Sequence, residues 1–500
     1  MSALLLPLPL IVAFSAAILA FAFRRGADGR WISLLGAALH LAAGIALLVV
    51  VIRDGPQAAQ MGDWPAPFGI TLVADTLSAV MVVVTGIIAL AVAAYATVDV
   101  TEAEAGLGYH ALFQVLIAGV TGAFLTGDLF NLYVWFEVML IASFGLLVLG
   151  GRRTQLDAGI KYVTLNLIST VLFLTGIGLL YGATGTLNLA DLHLKAAEVD
   201  DRLLTVIAAM FLVGFGIKSA MFPLFFWLPA SYHAPAFSVS AVFAGLLTKV
   251  GVYAMIRMFT LVFTQDTGFT HGLITWAAVA TMVTGVLGAA AQTDIRRILS
   301  FHIISQIGYM ALGLGLLTPL ALAGAVFYLV HHIVVKANLF LIAGVVDRVA
   351  GATEIDHIGG LWRGAPVLGL LFLVPAFSLA GFPPLSGFWA KFVLVRASLE
   401  IEVWAIAVAA LAVGLMTIYS MTKIWGRAFW APHPSGLIPS LSTLPLPERL
   451  ARLAPIAALA AVTVAIGVWP EPLAALAMRA AEELLDPTAY VAAVLGETAQ

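Results

Sequence analysis

Among the ionisable side chains inside long apolar stretches of this sequence, six are the main candidates for chemistry: Glu137, Lys218, Lys249, His332, Lys336 and Lys391. A lysine at the centre of a helix in a lipid bilayer costs about 2.5 kcal/mol or more, so such residues are seldom retained without a role in ion or proton movement. Amines, imidazoles and carboxylates can all exchange protons. The set therefore predicts a proton relay inside a membrane.

Glu137 and Lys218 form the first candidate pair of this relay. Glu137 lies about ten residues into the apolar run at 128–149, and Lys218 precedes two prolines, Pro223 and Pro229. The prolines predict a helix break that frees backbone carbonyls, which are tolerated at membrane depth only beside a polar cavity or protein. A nearby ammonium would keep a membrane carboxylate charged. The alternative is a static ion pair that only fixes helix packing.

The second candidate is a stripe of polar residues in FYLVHHIVVKANLF. Tyr328, His332 and Lys336 are spaced by four, so they stack along one face of a helix. Histidine titrates near neutral pH and suits a relay. A hydrogen-bonded core histidine is the alternative for His332, and it is our interpretation of His331, which lies off this face.

Lys391 follows a second proline break, in FPPLSGFWAKF, and is predicted to be the terminal proton site near the non-cytoplasmic exit. Its alternative is a lysine that extends outward to the membrane surface. Secondary candidates are Tyr328, His233, His302 and Gln306. His233 would either admit protons at the cytoplasmic end or cap a loop. His302 and Gln306 are four residues apart and are expected to face the polar interior.

Three further charged residues are assigned structural roles. Asp75 opens the run VADTLSAVMV and is interpreted as a helix-capping or boundary residue. Arg296 and Arg297, in DIRRILSFHIISQIGYM, are interpreted as anchors at the cytoplasmic mouth. None of the three is expected to bind the transported ion.

The composition sets the class of protein. The 500-residue chain is 62% hydrophobic and 10% charged, whereas soluble domains are about half apolar, so it is predicted to be a polytopic membrane protein. A formal charge of -3 without a basic tail gives no indication of a nucleic-acid partner. The absence of cysteine excludes disulfides and thiolate-ligated clusters. Walker, GxGxxG and HExxH motifs are absent, so nucleotide-driven chemistry is excluded and no cofactor is expected.

About fourteen apolar runs are long enough to cross roughly 30 Å of hydrocarbon, which predicts an all-α fold. They lie at 3–23, 31–52, 70–97, 109–126, 128–149, 158–181, 203–229, 236–260, 272–290, 298–316, 319–345, 365–395, 403–425 and 451–470. The first run lacks a basic leading segment and is expected to be a retained span. The segment at 471–496 carries Pro472, Pro487 and two glutamates, and is expected to be an interfacial helix.

The basic residues predict the orientation, because lysine and arginine concentrate in cytoplasmic loops. One set of loops contains most of the arginines, among them Arg24, Arg25, Arg152, Arg153, Arg296 and Arg297. The alternate set contains fewer basic residues: Arg53, Lys195, Arg202, Arg257 and Arg396. Both termini are therefore predicted to face away from the cytoplasm, in the cell membrane.

Two segments with the same layout suggest an internal repeat. Residues 203–260 and 365–425 each contain a proline-interrupted helix with a lysine, followed by a second helix. The two copies begin five runs apart, an odd number, so they enter the membrane from opposite sides and would form an inverted repeat, as in many transporters.

At these residues the chain resembles the antiporter-like membrane subunits that are shared by Mrp-type multisubunit cation/proton antiporters and respiratory complex I. The matching strings span roughly 70–430: FNLYVWFEVM, YGATGTLNLADL, GIKSAMFPLFFWLPASYHAPAFSVSAVFAGLLTKVG, DIRRILSFHIISQIGYM, HHIVVKANLFLIAG and AGFPPLSGFWAKF. Together they are highly specific for this family.

The resemblance implies a fold of fourteen helices with two inverted five-helix repeats and two broken helices. The corresponding segments would be a three-helix segment at 1–108, repeats at 109–260 and 261–426, and a C-terminal helix with an interfacial segment at 427–500. It also implies that the six buried residues act as relay groups. The lysine at 391 and the sequence around Glu137 resemble those of the Mrp D subunits. Gln306 stands where complex I relatives frequently have a histidine, and so departs from their pattern.

The expected function is proton translocation in a Na+/H+ antiporter that contains other membrane subunits; the chain would be a secondary transporter, not an enzyme. Its relay residues are proton-type groups with no obvious oxygen cage for sodium, so at least part of the cation site is expected on partner subunits. The alternatives are a proton-pumping subunit of complex I or of a membrane-bound hydrogenase, and an assembly scaffold without ion flux.

Overall fold

The computed structural model describes residues 2–26, 28–436 and 438–496, and within these ranges the chain is almost entirely helical. Eleven helices there are long and apolar enough to cross a membrane. They are Asp28–Asp54, Thr76–Asp99, Leu129–Val148, Arg153–Thr184, Asp201–Ser219, Phe237–Leu261, Thr267–Ala291, Ile295–Leu316, Pro319–Ala350, Trp404–Trp430 and Leu446–Val468. This architecture agrees with the predicted all-α polytopic class.

The remaining elements are shorter. Three are apolar helices of 10–17 residues: Leu8–Ala22, Tyr109–Leu125 and Pro366–Ala380. The others are Ser2–Leu5, Glu102–Gly106, Leu189–Ala196, Trp227–Ser231, Leu361–Gly364, Ser386–Glu400, Glu471–Leu485 and Thr488–Leu495, with 3-10 turns at Met61–Asp63 and Leu441–Thr443. Strands Gln57–Gln60 and Thr71–Ala74 pair antiparallel in a two-stranded sheet.

Polar residues begin the long helices where the apolar runs start. Asp75, Asp128, Asp294 and Thr318 each accept a hydrogen bond from a backbone N–H in the first turn of the helix that follows. Such caps satisfy N–H groups that would otherwise lack partners at the helix end. The capping role predicted for Asp75 is therefore confirmed.

Three helices form the interior of the molecule. The most apolar 18 residues of Pro319–Ala350 are all buried, and nearly all of the corresponding residues of Phe237–Leu261 and Ile295–Leu316 are buried too. In outer helices such as Thr267–Ala291 and Arg153–Thr184, well under half of the most apolar residues are buried. Lys249, His332 and Lys336 belong to interior helices, so their side chains are surrounded by protein.

Helical structure is interrupted at both predicted proline sites. The Asp201–Ser219 helix ends before Pro223, because Ala220 adopts a left-handed conformation with φ of 59°, and helix resumes only at Trp227. The Pro366–Ala380 helix ends at Gly381, with φ of 95°, and helix resumes at Ser386. Gly381 suits that position because glycine adopts positive φ without steric cost.

The C-terminal helices close one end of the bundle. Arg479 donates to the carbonyls of Val51 and Ile52, and Glu483 accepts from the backbone N–H and the hydroxyl of Thr76. These contacts join Glu471–Leu485 to two of the long helices. The interfacial position expected for 471–496 stays a prediction.

Candidate functional site

Glu137 and Lys218 lie on opposite sides of one threonine. The hydroxyl of Thr170 donates to Oε1 of Glu137 over 2.8 Å, and Nζ of Lys218 lies 3.5 Å from the same hydroxyl oxygen. Lys218 also sits over the ring of Phe136, 5.5 Å from its centroid. Glu137 is half-buried, whereas Lys218 is only 8% exposed. The predicted pair is therefore close in space, but it is mediated rather than direct.

Lys218 occupies the last turn of its helix, directly before the first interruption. A cavity of about 20 Å³ adjoins it and is also lined by Tyr162, Asn166, Trp227 and Leu247. A polar site of roughly this size can hold one water molecule. The cavity extends from Lys218 to the segment that precedes Lys249.

Lys249 follows a π-helical segment, Phe243–Leu247, and its ammonium donates to the carbonyl of Ala244 within it. The side chain is completely buried. Gly251 packs against Lys218, since a Cβ added there would approach the Cβ of Lys218 to 3.2 Å. The helices that bear Lys218 and Lys249 are thus in close contact, although no hydrogen bond joins the two side chains in the described residues.

The Tyr328, His332 and Lys336 stripe lies on the most buried helix. Lys336 donates to the carbonyl of Leu299 over 3.1 Å, and Tyr328 donates to Oε1 of Gln306. Both ring nitrogens of His332 are buried and have no hydrogen-bond partner among the described residues.

His302 lies on the Ile295–Leu316 helix and is completely buried. Its two ring nitrogens are likewise buried and without a partner in the described part of the chain. Gln306, four residues further on, accepts a hydrogen bond from Tyr328, and the expectation that His302 also faces a polar interior stays a prediction.

Lys391 lies at the second interruption. Its ammonium donates to the carbonyls of Leu379 and Ala380, over 2.9 and 3.1 Å, and lies 5.1 Å from the centroid of the Tyr309 ring. The side chain is 9% exposed, at the base of an apolar groove of about 440 Å³. Lys391 therefore points towards carbonyls that the helix end leaves free, rather than outward to the surface.

His331 has polar contacts at the same interruption. Its Nδ1 is 2.8 Å from the hydroxyl of Ser386, which is 3.0 Å from the hydroxyl of Ser378. These contacts agree with the interpretation of His331 as a hydrogen-bonded core residue. They also fix the two helix ends that flank the break.

His233 lines a large polar cavity at the end of the bundle that contains Asp294. The cavity has a volume of about 770 Å³ and is also lined by Asp99, Asp294, Arg296 and Asp347. Burial, followed by the charge of Arg297, lowers the pKa of His233 below its ordinary value. The ring is therefore neutral near pH 7, and its Nδ1 lies 3.0 Å from the carbonyl of Pro229.

Arg296, interpreted above as an anchor at the cytoplasmic mouth, is a buried residue in the wall of this cavity. It is 9% exposed, donates to the carbonyl of Pro235 and to the hydroxyl of Ser240, and stacks 4.3 Å from the centroid of the Phe237 ring. The side chain of Arg296 is buried because the free carbonyls of the adjacent loop need a buried hydrogen-bond donor. Arg296 thus fixes the loop that follows the first interruption.

Arg257 also differs from its predicted position in a loop. It lies inside the Phe237–Leu261 helix, is 4% exposed and forms an ion pair of 2.5 Å with Asp75. Its guanidinium lies 5.1 Å from the centroid of the Tyr490 ring. The apolar run continues past Arg257 because this pairing compensates the buried charge.

Sequence reasoning missed one residue of the site, Thr170. Tyr162, Asn166 and Thr170 recur at four-residue spacing within the predicted span at 158–181. All three are buried, on one face of the Arg153–Thr184 helix. A buried polar stripe at helical spacing was therefore the signal that could have identified it.

No group of three or more histidine, aspartate or glutamate side chains that could hold a metal ion occurs in the described residues. The groups assembled here can accept, donate and hold protons.

A family profile matches residues 126–417 and describes the transmembrane part of NADH:quinone oxidoreductase and Mrp antiporter subunits. The chain is 47% identical to the D subunit of a Na+/H+ antiporter of Alkalihalophilus pseudofirmus, over 91% of this chain and 92% of that protein. It is 40% identical to the D subunit of a Na+/H+ antiporter of Bacillus subtilis, over 98% of each chain.

Solved structures with the same fold include a chain of the Mrp complex from Dietzia sp., with a TM-score of 0.91, 34% identity and 99% coverage of both chains. A chain of respiratory complex I from Thermus thermophilus has a TM-score of 0.80 and 25% identity, over 97% of this chain and all of that one.

Proposed function

The chain belongs to the NADH:quinone oxidoreductase/Mrp antiporter family, within it to the D subunits of Mrp-type Na+/H+ antiporters, and we propose that it carries protons laterally through the membrane. As a D subunit it is a component of a multisubunit transporter and not an enzyme. The proposed relay consists of Glu137, Lys218, Lys249, His332, Lys336 and Lys391. His233, His302, Tyr328 and Gln306 have supporting roles.

The observation that carries this proposal is the set of partners of the buried amines. Lys249, Lys336 and Lys391 all donate to backbone carbonyls rather than to carboxylates. A buried amine without a counter-ion can exchange its proton without leaving an unpaired anion behind. A set of permanently ion-paired lysines would suit packing instead.

Water is required between some of these groups. Both ring nitrogens of His302 and His332 lack protein partners in the described residues, and buried polar atoms in folded proteins almost always have at least one. We propose that ordered water bridges the imidazoles to Lys336 and Lys391 and that the small cavity beside Lys218 connects it towards Lys249.

The large polar cavity is the proposed cytoplasmic entrance of this path. It is lined by His233 and by carboxylates such as Asp347. His233, neutral near pH 7, could accept a proton there and release it inwards. The non-cytoplasmic exit is proposed at Lys391, and coupling to Na+ is proposed to involve the other subunits.

The proposed membrane topology has fourteen crossings. The eleven long helices supply eleven of them, Leu8–Ala22 and Tyr109–Leu125 supply two, and Pro366–Ala380 with Ser386–Glu400 forms the last as a broken helix. Asp201–Ser219 with Trp227–Ser231 would be the other broken helix. The interruptions at equivalent points support two inverted repeats at 109–260 and 261–426.

Cysteine labelling tests the orientation directly, because the natural chain contains no cysteine. We expect Arg202→Cys and Glu471→Cys, both at exposed positions, to react with a membrane-impermeant maleimide in intact cells. Arg153→Cys, also exposed, should react only after permeabilisation. The reverse pattern would overturn the proposal that both termini face away from the cytoplasm.

A variant that combines Glu137→Gln, Lys218→Ala and Lys391→Ala tests the proposed relay against a scaffold role. In everted vesicles that contain the whole complex, we expect Na+-dependent proton flux to fall at least about 100-fold, the size of effect typical of losing proton-transfer groups. Co-purification of the other subunits should be unchanged. Wild-type flux in this variant would instead support a scaffold without ion flux.

The complex I alternative is less well supported. The relatives with 47% and 40% identity are antiporter subunits, whereas the complex I chain has 25%. We therefore retain the antiporter as the proposed context.

A further inference from the structure

Thr170 occupies the only polar connection between Glu137 and Lys218 among the described residues. Its hydroxyl donates to Glu137 over 2.8 Å and lies 3.5 Å from the ammonium of Lys218. No ion pair in this part of the chain joins Glu137 directly to Lys218. Thr170 is 7% exposed, so solvent at the surface does not replace it.

The orientation of this hydroxyl is unusual for its helix. Thr164 and Thr175, on the same Arg153–Thr184 helix, donate back to the carbonyls of Ile160 and Val171. Back-bonding of this kind is the ordinary way in which threonine satisfies its hydroxyl inside a helix. Thr170 instead donates across to a carboxylate on the Leu129–Val148 helix.

A hydroxyl can donate one hydrogen bond and accept two. With its single hydrogen directed at Glu137, the oxygen of Thr170 can only accept from Lys218, whose ammonium can only donate. The three groups therefore form a directed chain from amine to hydroxyl to carboxylate. Such a chain has the polarity that proton transfer needs.

We propose that the Thr170 hydroxyl conducts the proton between Lys218 and Glu137, an inference that rests on the proposed relay. In this step an N–H bond of Lys218 breaks as an O–H bond forms on Oγ1 of Thr170. The original O–H bond of Thr170 breaks at the same time, and a new O–H bond forms on Oε1 of Glu137. The ammonium of Lys218 becomes an amine, the carboxylate of Glu137 becomes a carboxylic acid, and the hydroxyl of Thr170 is regenerated. All atoms are accounted for, and the net charge of the three groups is unchanged.

The test compares Thr170→Val, which removes the hydroxyl at nearly constant volume, with Thr170→Ser, which keeps it. In everted vesicles with the whole complex, we expect Thr170→Val to lower Na+-dependent proton flux about tenfold, as for loss of a hydrogen bond to a charged group. Thr170→Ser should stay within about twofold of the wild type. Thr175→Val, at an exposed position of the same helix, is the matched control and should be unchanged.

The outcomes separate this inference from the proposed function. Wild-type flux in Thr170→Val, together with lost flux in Lys218→Ala, would overturn the proposed role of Thr170 and leave the proposed relay in place. Wild-type flux in both variants would overturn the relay itself. If Thr170→Val does not assemble, Thr170→Ala replaces it, and equal flux in the alanine and serine variants would overturn the proposal.

Discussion

Replacing Lys218 with alanine should reduce Na+-dependent proton flux in everted vesicles by at least about 100-fold. The proposed relay then loses the group that lies between Glu137 and Lys249. Lys218 lies next to Thr170 on one side and next to the cavity that leads towards Lys249 on the other. The measurement is the Na+-induced change of internal pH in vesicles that contain the whole complex.

The control for this variant is Lys161→Ala. Lys161 is exposed and forms a surface ion pair of 2.6 Å with Asp157 in the same helix. Exposed pairs of this kind contribute about 0.3–0.5 kcal/mol, so its loss should leave both flux and assembly unchanged. Co-purification of the partner subunits distinguishes lost transport from lost assembly.

A second variant covers the chance that alanine disturbs packing. Lys218→Met keeps most of the aliphatic volume beside the Phe136 ring while it removes the exchangeable protons. We expect it to assemble and to be as inactive as Lys218→Ala. Retained flux in the methionine variant would remove Lys218 from the path.

The buried amines of the proposed relay could be located from the sequence, because charge inside an apolar run is a strong signal. Lys336 and His332 were predicted to lie one turn apart on the same helix, and both are buried on the Pro319–Ala350 helix. Lys391 was expected beside the second break, and it donates to two carbonyls there. In both cases the signal lies within one short segment of the chain.

Contacts between distant segments were not predictable in the same way. Arg257 was counted among the basic residues of the loops, yet it is buried against Asp75. Thr170 has no charge, and threonine is common in membrane helices, so only its partners distinguish it from Thr164 and Thr175. The first break begins at Ala220 rather than at a proline, because the left-handed turn there ends the helix earlier.

The second large effect should come from the Asp75–Arg257 ion pair, through stability rather than transport. Both side chains are almost completely buried, at 3% and 5% exposure, and their closest nitrogen and oxygen atoms are 2.5 Å apart. Removing one member of a buried pair leaves the other charge uncompensated and costs about 3–5 kcal/mol. Asp75→Asn is the suitable change, since asparagine can still cap the Thr76–Asp99 helix through its side-chain oxygen.

We expect Asp75→Asn to lower the melting temperature of the purified complex. The measurement is fluorescence-detected size-exclusion chromatography of samples heated to a series of temperatures. Arg257→Met should lower it as well, because it leaves the carboxylate of Asp75 buried and without its cation. The double variant removes both charges, so its loss of stability should be clearly smaller than the sum of the two single losses. Additive losses would mean that the two residues stabilise the fold independently, and an unchanged melting temperature in Asp75→Asn would show that the pair contributes little to it.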